Sequence, residues 1–214
     1  MESERREEEQ GGMIAAVDVD YRGEEGIAAC VLFPDWTAKL PAAERVARIP
    51  RVAPYESGKF FQRELPCILA VLARLDEAPA TVIVDGYVWL GQGGRPGLGA
   101  YLYEALEQRI PVVGVAKRLF LPARPVAIAV RRGSSRRPLY VTAAGIDAEV
   151  AARNVARMDG PFRIPTLLGR VDRLCRQALR DPPQVDGSRS KRPRGELRRG
   201  RTSPRQSNGK RRVP

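Results

Sequence analysis

The chain has 214 residues, 43% of them apolar, and a net charge of +12, which allows one large domain or two small ones with a real core. It contains no histidine. This excludes Ser-His-Asp and Cys-His catalysis and histidine-ligated metals, so hydrolysis would depend on carboxylates, lysine, tyrosine or an activated water. No apolar run is long enough to span a bilayer and the acidic N-terminus lacks an apolar signal core, so we expect a cytoplasmic protein without a membrane partner.

The positive charge is spread unevenly along the chain. Residues 1–12 carry a net charge of −3, residues 181–214 carry +8 and the segment between them carries +7. A basic balance favours a polyanionic partner such as nucleic acid, although a solubilising tail would give the same composition. The three cysteines (Cys30, Cys67 and Cys175) lie in apolar contexts, which is typical of reduced core residues in a cytoplasmic protein.

The first half of the chain predicts three strands and a helix. Residues 1–12 are charged and are expected to be a flexible, acidic lead-in. Strands are predicted at Met13–Tyr21, Ile27–Phe33 and Ala43–Ile49, with a hairpin turn at Gly23–Gly26, and together they form an antiparallel meander. A helix is then predicted from apolar residues at helical spacing between Phe61 and Leu75, starting or kinking near Pro66.

Strands and helices alternate in the second half, and the last segment is polar. Strands are predicted at Thr81–Gly86, Pro111–Ala116, Val126–Val130 and Leu139–Ala143, and helices at Ala100–Gln108, Asp147–Met158 and Pro165–Leu179. This order predicts a mixed sheet flanked by helices, with the antiparallel meander followed by parallel strands, in a single α/β domain over residues 13–180. Residues 181–214 are rich in Pro, Arg, Ser and Gly and are expected to form a disordered basic tail.

Two apolar strands contain aspartates, which are costly in a core unless a cation, a donor or water reaches them. Asp18 interrupts the first strand and Asp85 ends the fourth. Glu64 lies on or beside the apolar stripe of the first helix, and Lys117 follows a buried strand. Carboxylates in this setting suit Mg²⁺ or Mn²⁺, which can activate water and stabilise phosphate charge. Unrelated strand-end carboxylates would give the same pattern, and spacing alone leaves both interpretations open.

Four short motifs in register resemble the endonuclease V family. They are VDVDY around Asp18, PYESGKFFQRE across Tyr55 and Glu64, VIVDG ending at Asp85 and GVAK ending at Lys117, and the weaker segments RRPLYVTAAG and FRIPT also fit. The resemblance implies a ribonuclease H-like fold. It also implies Mg²⁺-dependent cleavage of deaminated DNA at the second phosphodiester 3′ to an inosine.

The resemblance also implies roles for individual residues. Asp18 and Asp85 match the family's metal-binding aspartates, and Glu64 matches its catalytic glutamate, which would adjoin the ion. Lys117 matches a catalytic lysine near the scissile phosphate. Tyr55 matches a wedge that fills the gap left by an extruded base, although a turn residue packed on Phe60 would look the same. The predicted nucleic-acid contacts are therefore Tyr55, Lys117, Arg118 and Arg95.

Three departures from the family pattern leave two functions open. Glu56-Ser57 occupies the middle of the wedge motif, and the family's DGHG or DGNG becomes Asp85-Gly86-Tyr87-Val88, with a longer loop reaching Arg95. The family's late histidine has no match, and Gly145 or Asp147 falls near its place, where Asp147 could supply an oxygen ligand or cap the next helix. We therefore predict a monomeric, Mg²⁺-dependent endonuclease of DNA repair that acts on DNA. The alternative is a weak or inactive nuclease-fold protein that binds structured DNA or RNA.

Overall fold

A seven-stranded mixed sheet forms the centre of the protein. The computed structural model describes residues 12–180; residues 1–11 of the predicted acidic lead-in and the predicted basic tail lie outside the described residues. The strands are β1 (Ile14–Arg22), β2 (Glu25–Phe33), β3 (Ala43–Ile49), β4 (Thr81–Val84), β5 (Val112–Ala116), β6 (Ile128–Val130) and β7 (Leu139–Ala144). Their order across the sheet is β3-β2-β1-β4-β5-β7-β6.

Strand directions confirm the predicted meander followed by parallel strands. The first three strands pair antiparallel, β4 lies parallel to β1 and β5 lies parallel to β4. The β6–β7 hairpin then adds to β5 in the antiparallel sense. The carboxyl ends of β1, β4 and β5 therefore meet at one edge of the sheet, where polar groups can reach solvent.

Helices cover both faces of the sheet. They are α1 (Phe60–Leu72), α2 (Leu98–Ala105), α3 (Ala148–Arg157) and α4 (Thr166–Arg180), with a short 3₁₀ helix at Leu121–Ala123. Because side chains alternate along a strand, Ala15 and Val17 of β1 pack against α1 and α2, whereas Ile14 and Ala16 pack against α3 and α4. None of the helices within residues 12–180 has the length and apolar character needed to cross a membrane.

Helix α1 runs through Pro66 rather than beginning at it. Its buried residues are Glu64, Cys67, Ile68 and Val71, which are spaced three and four apart and so share one helical face. Glu64 is therefore part of the buried face, at the end nearest the carboxyl edge of β1 and β4. The sequence pattern left it on or beside the stripe, and the structure places it on the stripe.

The turn between β6 and β7 is held by a buried arginine. The side chain of Arg132 is only 5% exposed, and it donates to carbonyl oxygens of the segment between α3 and α4. These acceptors are Ala156, Met158, Asp159, Gly160, Phe162 and Arg163. The helical end and the loop that follows it thus have their free carbonyl groups satisfied by one guanidinium.

We predict that Gly133→Ala destabilises the protein far more than Gly23→Ala. Both glycines have a left-handed backbone, with φ of 57° and 60°, which costs about 1 kcal/mol for alanine. An added Cβ at Gly133 would also lie 2.1 Å from the carbonyl oxygen of Pro161, whereas one at Gly23 meets nothing within 4 Å. Thermal melts should show that Gly133→Ala lowers the free energy of unfolding by roughly 1–3 kcal/mol more than Gly23→Ala does. Equal losses in the two variants would contradict the close contact between Gly133 and Pro161.

Candidate active site

Asp18 and Asp85 lie side by side because of the register between β1 and β4. Val17 pairs with Val84 in the parallel ladder, so the next residue on each strand falls at the same level, about 4.8 Å from its neighbour's backbone. Both aspartates line an open pocket of about 400 Å³ and a small, mainly apolar cavity of about 30 Å³. The shared linings place these two predicted residues on the same side of the sheet.

Lys117 reaches Asp85 from the next parallel strand. Its Nζ donates to Asp85 Oδ2 at 2.5 Å. Burial disfavours the charged ammonium group, but the hydrogen bond and the charge of Asp85 outweigh it and raise the pKa of Lys117. The amine therefore stays protonated and acts as a cation rather than as a base. Because both side chains are partly exposed, the pair adds little to folding stability.

Glu64 of α1 also lines the 400 Å³ pocket and is only 8% exposed. Burial, followed by the negative charges of Asp18 and Asp85, raises the pKa of Glu64 to about 8. Burial and the charge of Asp85 likewise raise the pKa of Asp18 to about 6, against the opposing effects of the Val19 amide and Lys117. The pocket thus concentrates more negative charge than its own lysine neutralises.

Besides Asp20 of β1, a fifth acid lines this pocket, Asp172 of α4, which the sequence analysis missed. Its negative charge contributes to the raised pKa of Asp18. Arg176, one turn further along the helix, also lines the pocket and donates to Asp172 Oδ1 at 2.7 Å. Asp172 follows the buried Val171, so it lies beside an apolar stripe, and the same signal had singled out Glu64.

Gly145 and Asp147, which fall near the place of the family's late histidine, lie at the opposite end of β5 from Lys117, and of the two roles open to Asp147 the structure shows the helix cap. Strand β7 runs antiparallel to β5, and Ala144 pairs with Val112 at the start of β5, whereas Lys117 follows its end. Along this strand Val112 and Lys117 are about 17 Å apart. The carboxylate of Asp147 instead accepts hydrogen bonds from the amides of Glu149 and Val150 and caps α3.

A row of aromatic rings borders the pocket on the α1 side. Phe60 lines the pocket, and its ring centroid lies 6.4 Å from that of Tyr55 and 6.5 Å from that of Tyr21, both edge to face. Tyr55 is 69% exposed. Tyr55 therefore packs on Phe60 and still presents most of its ring to solvent, so the wedge role stays a prediction.

Two predicted contacts, Arg118 and Arg95, lie outside the pocket lining. Arg118 follows Lys117 and is exposed, and its carbonyl accepts a hydrogen bond from the Tyr87 hydroxyl. Arg95 is exposed and lies next to the bridge between Trp89 and Pro96, which closes a hairpin-like loop. Arg118 is next to the site, whereas Arg95 would meet only a ligand that extends beyond the pocket.

The carboxylate oxygens of the pocket are ligands that suit a hard divalent cation, but the side chains do not yet surround one common position. Asp18, Glu64, Asp85 and Asp172 offer only carboxylate oxygens, which Mg²⁺ and Mn²⁺ prefer. Within residues 12–180, however, no three His, Cys, Asp or Glu side chains already stand at metal-holding distances. Binding would therefore require these side chains to turn toward one another and Asp85 to share or release Lys117.

Comparison with known proteins identifies relatives of this chain. A family model described as Endonuclease V matches residues 1–124. Endonuclease V of Streptomyces coelicolor is 31% identical over 192 residues, which cover 79% of this chain and 80% of that protein. The crystal structure of Endonuclease V from Streptomyces avermitilis has a TM-score of 0.64 at 27% identity, covering 78% of this chain and 81% of that one.

A further structural match includes nucleic acid. Endonuclease V of Ciona intestinalis, in complex with a 23mer DNA containing an inosine followed by a ribo-adenosine, has a TM-score of 0.67 at 17% identity. The match covers 79% of this chain and 86% of that chain, and at this identity it shows the fold alone. These matches confirm the predicted ribonuclease H-like α/β fold.

We predict that Glu64→Gln stabilises the metal-free protein progressively from about pH 5 to about pH 8. Between the ordinary glutamate pKa of 4.5 and the raised value of about 8, the unfolded chain has lost this proton and the folded chain keeps it. Folding stability therefore falls with rising pH, and glutamine removes that loss. Melting temperatures in chelator should diverge over this range, whereas Glu77→Gln, on an exposed loop, should match wild type throughout. Parallel curves would contradict the raised pKa.

Proposed function

The chain belongs to the endonuclease V family of DNA-cleaving hydrolases, and on that premise we propose that it nicks inosine-containing DNA near the lesion in a metal-dependent reaction of DNA repair. One observation carries the proposal. Acidic side chains from β1, α1, β4 and α4 converge on one open pocket beside a protonated lysine. In a protein that only bound nucleic acid, this concentration of negative charge beside phosphate would weaken the binding.

The family consists of metal-dependent nucleases, and we propose Mg²⁺, with Mn²⁺ as a substitute, for this member. Asp18 and Asp85 would hold the ion, with Glu64 and Asp172 adjoining. A cation bound there would supply Lewis acidity to the phosphate and lower the pKa of water. The raised pKa values of Asp18 and Glu64 support this assignment, because a positive charge would favour the ionised form of both groups.

The chain's own residues then have distinct tasks. Lys117 carries a permanent positive charge at the edge of the pocket, so its Nζ can donate to a phosphate oxygen when substrate takes the place of the Asp85 contact. Glu64, protonated near neutral pH without a cation, becomes able to accept a proton at its carboxylate once it ionises. Arg176 keeps the Asp172 carboxylate oriented toward the pocket.

Lesion recognition is assigned to the aromatic row. An extruded base can enter the 400 Å³ pocket and contact the ring of Phe60, while the exposed Tyr55 ring takes the place of that base in the stack. Aromatic rings are suited to both positions because they replace stacking area without needing a particular base. DNA is therefore the proposed partner, with RNA as the alternative.

Organisation and location follow the same proposal. We assign catalysis to residues 13–180 of one polypeptide acting as a monomer, with the basic tail adding affinity rather than chemistry. The cysteines at positions 30, 67 and 175 are free and buried, which supports a reducing, cytoplasmic location.

The proposal is tested by nicking assays on duplexes with and without one inosine, in Mg²⁺, Mn²⁺ or chelator. Wild type that never nicks would leave only the nucleic-acid-binding alternative.

We predict that Asp85→Asn and Asp172→Asn each lower the nicking rate by roughly a hundredfold or more, because each removes a charged oxygen ligand from the site. Asp147→Asn is the matched control, since asparagine also caps helices well and Asp147 lies at the far end of the sheet. Single-turnover rates on the inosine duplex measure the effect. Equal loss in all three variants would contradict the placement of Asp172.

We predict that Tyr55→Ala loses preference for the lesion more than it loses cleavage chemistry. Stacking on an aromatic ring contributes about 1–3 kcal/mol per base, so discrimination between inosine and undamaged duplexes should fall at least about fivefold. Tyr55→Phe keeps the ring and should behave as wild type. If Tyr55→Ala slows nicking equally on both duplexes, the ring does not act as a wedge.

A further inference from the structure

The most exposed aromatic side chain within residues 12–180 has no role in the pocket. Phe162, in the connection between α3 and α4, is 74% exposed and does not line the 400 Å³ pocket. An isolated exposed ring needs no explanation in itself. Its setting is informative, because the backbone that carries it is fixed, the reactive site is close and the neighbouring side chains are cationic.

The loop that carries Phe162 is held rigidly. The buried guanidinium of Arg132 donates to the carbonyl of Phe162 at 3.1 Å and to several neighbouring carbonyls. Gly133 approaches the carbonyl of Pro161 so closely that no side chain fits between them. A ring displayed on a fixed backbone loses little conformational entropy when a ligand covers it, so this ring is prepared for contact.

The Phe162 loop also lies next to Lys117. The guanidinium of Arg163 donates to the carbonyl oxygens of Lys117 and of Pro138, the latter at 3.0 Å. Ile164 lines the small cavity together with Lys117, Asp18 and Asp85. Phe162 is two residues from Ile164, at most about 7.6 Å along the chain. A nucleic-acid strand that leaves the reactive pocket on this side would therefore pass the ring of Phe162.

The surface around Phe162 is positively charged. The turn that packs on its loop exposes Arg131, Arg136 and Arg137, and none of these has a carboxylate partner within residues 12–180. Arg118, beside Lys117, is likewise exposed and unpaired there. An exposed ring among unpaired arginines is the combination that binds single-stranded nucleic acid, whereas the centres of protein interfaces are poor in charge.

We propose that Phe162 stacks on an unpaired base of the bound nucleic acid while Arg136 and Arg137 contact its phosphates. The protein thereby holds a single-stranded segment next to its reactive pocket. This inference extends the proposed function to a second contact on the substrate. It depends on nucleic-acid binding and not on cleavage, so the two can fail separately.

The test is binding of the full chain to labelled single-stranded oligonucleotides without inosine, in chelator, followed by fluorescence anisotropy. One oligonucleotide carries normal bases and a matched one has abasic sites throughout its centre. Phe162→Ala should weaken binding to the first at least about fivefold and leave binding to the second unchanged. Arg136→Gln with Arg137→Gln should weaken both, and should reduce the slope of log K against log salt by about 0.7 per lost contact.

Two variants serve as controls. Leu40→Ala removes a side chain that is 77% exposed, in the connection to β3 at the opposite edge of the sheet, and should not change binding. Phe162→Trp keeps a ring and should retain it. Thermal melts of all variants should coincide, because the replaced side chains are exposed.

Three outcomes would overturn the inference: no loss in Phe162→Ala, an equal loss on the abasic oligonucleotide, or a Phe162-dependent change in oligomeric mass, which would assign the ring to a protein contact. Ring-dependent binding by a protein that never nicks the inosine duplex would overturn the proposed function and leave this inference standing. Normal nicking of the inosine duplex together with binding that does not depend on the Phe162 ring would overturn this inference and leave the proposed function standing.

Discussion

Parallel pairing between β1 and β4 is the constraint on which the site depends. The register that sets Val17 opposite Val84 forces Asp18 and Asp85 to the same level at the end of the sheet. Two carboxylates this close, partly removed from water, repel each other and resist ionisation, as the pKa of about 6 for Asp18 indicates. Lys117, delivered by the next parallel strand, offsets part of that repulsion. The remainder makes the pocket a place that a cation would stabilise.

The two helical layers complete the site from opposite faces of the sheet. Helix α1 contributes Glu64 from one layer and α4 contributes Asp172 from the other, so the pocket forms where both layers extend past the strand ends. This arrangement explains the high pKa of Glu64, which lies on a buried helical face and meets two aspartates there. The two sides of the pocket also differ in chemistry, because aromatic rings border the α1 side whereas Arg176 borders the α4 side.

Two anchored loops flank the strand end that carries Lys117. The Tyr87 hydroxyl donates to the carbonyl of Arg118 and accepts from the amide of Phe120, which fixes the chain just after Lys117. Arg132 fixes the loop between α3 and α4 in a similar way. In both cases a single polar side chain replaces the hydrogen bonds that regular secondary structure would have given. Both loops are thus held in place without being part of a helix or strand.

Residue order by itself predicted the elements, the sheet type and three of the five acids that line the pocket. Asp18 and Asp85 were identifiable because a carboxylate in an apolar strand is costly, and Glu64 because it interrupts the period of a helical stripe. Asp172 interrupts a stripe in the same way, yet which helix end reaches the pocket depends on how α4 crosses the sheet. Whether Asp147 would be an oxygen ligand or a helix cap depended on β7, which runs antiparallel to β5, and strand direction is set by long-range pairing. The buried state of Arg132 was likewise decided by tertiary structure, since the carbonyl groups it satisfies lie 24 to 31 residues further along the chain.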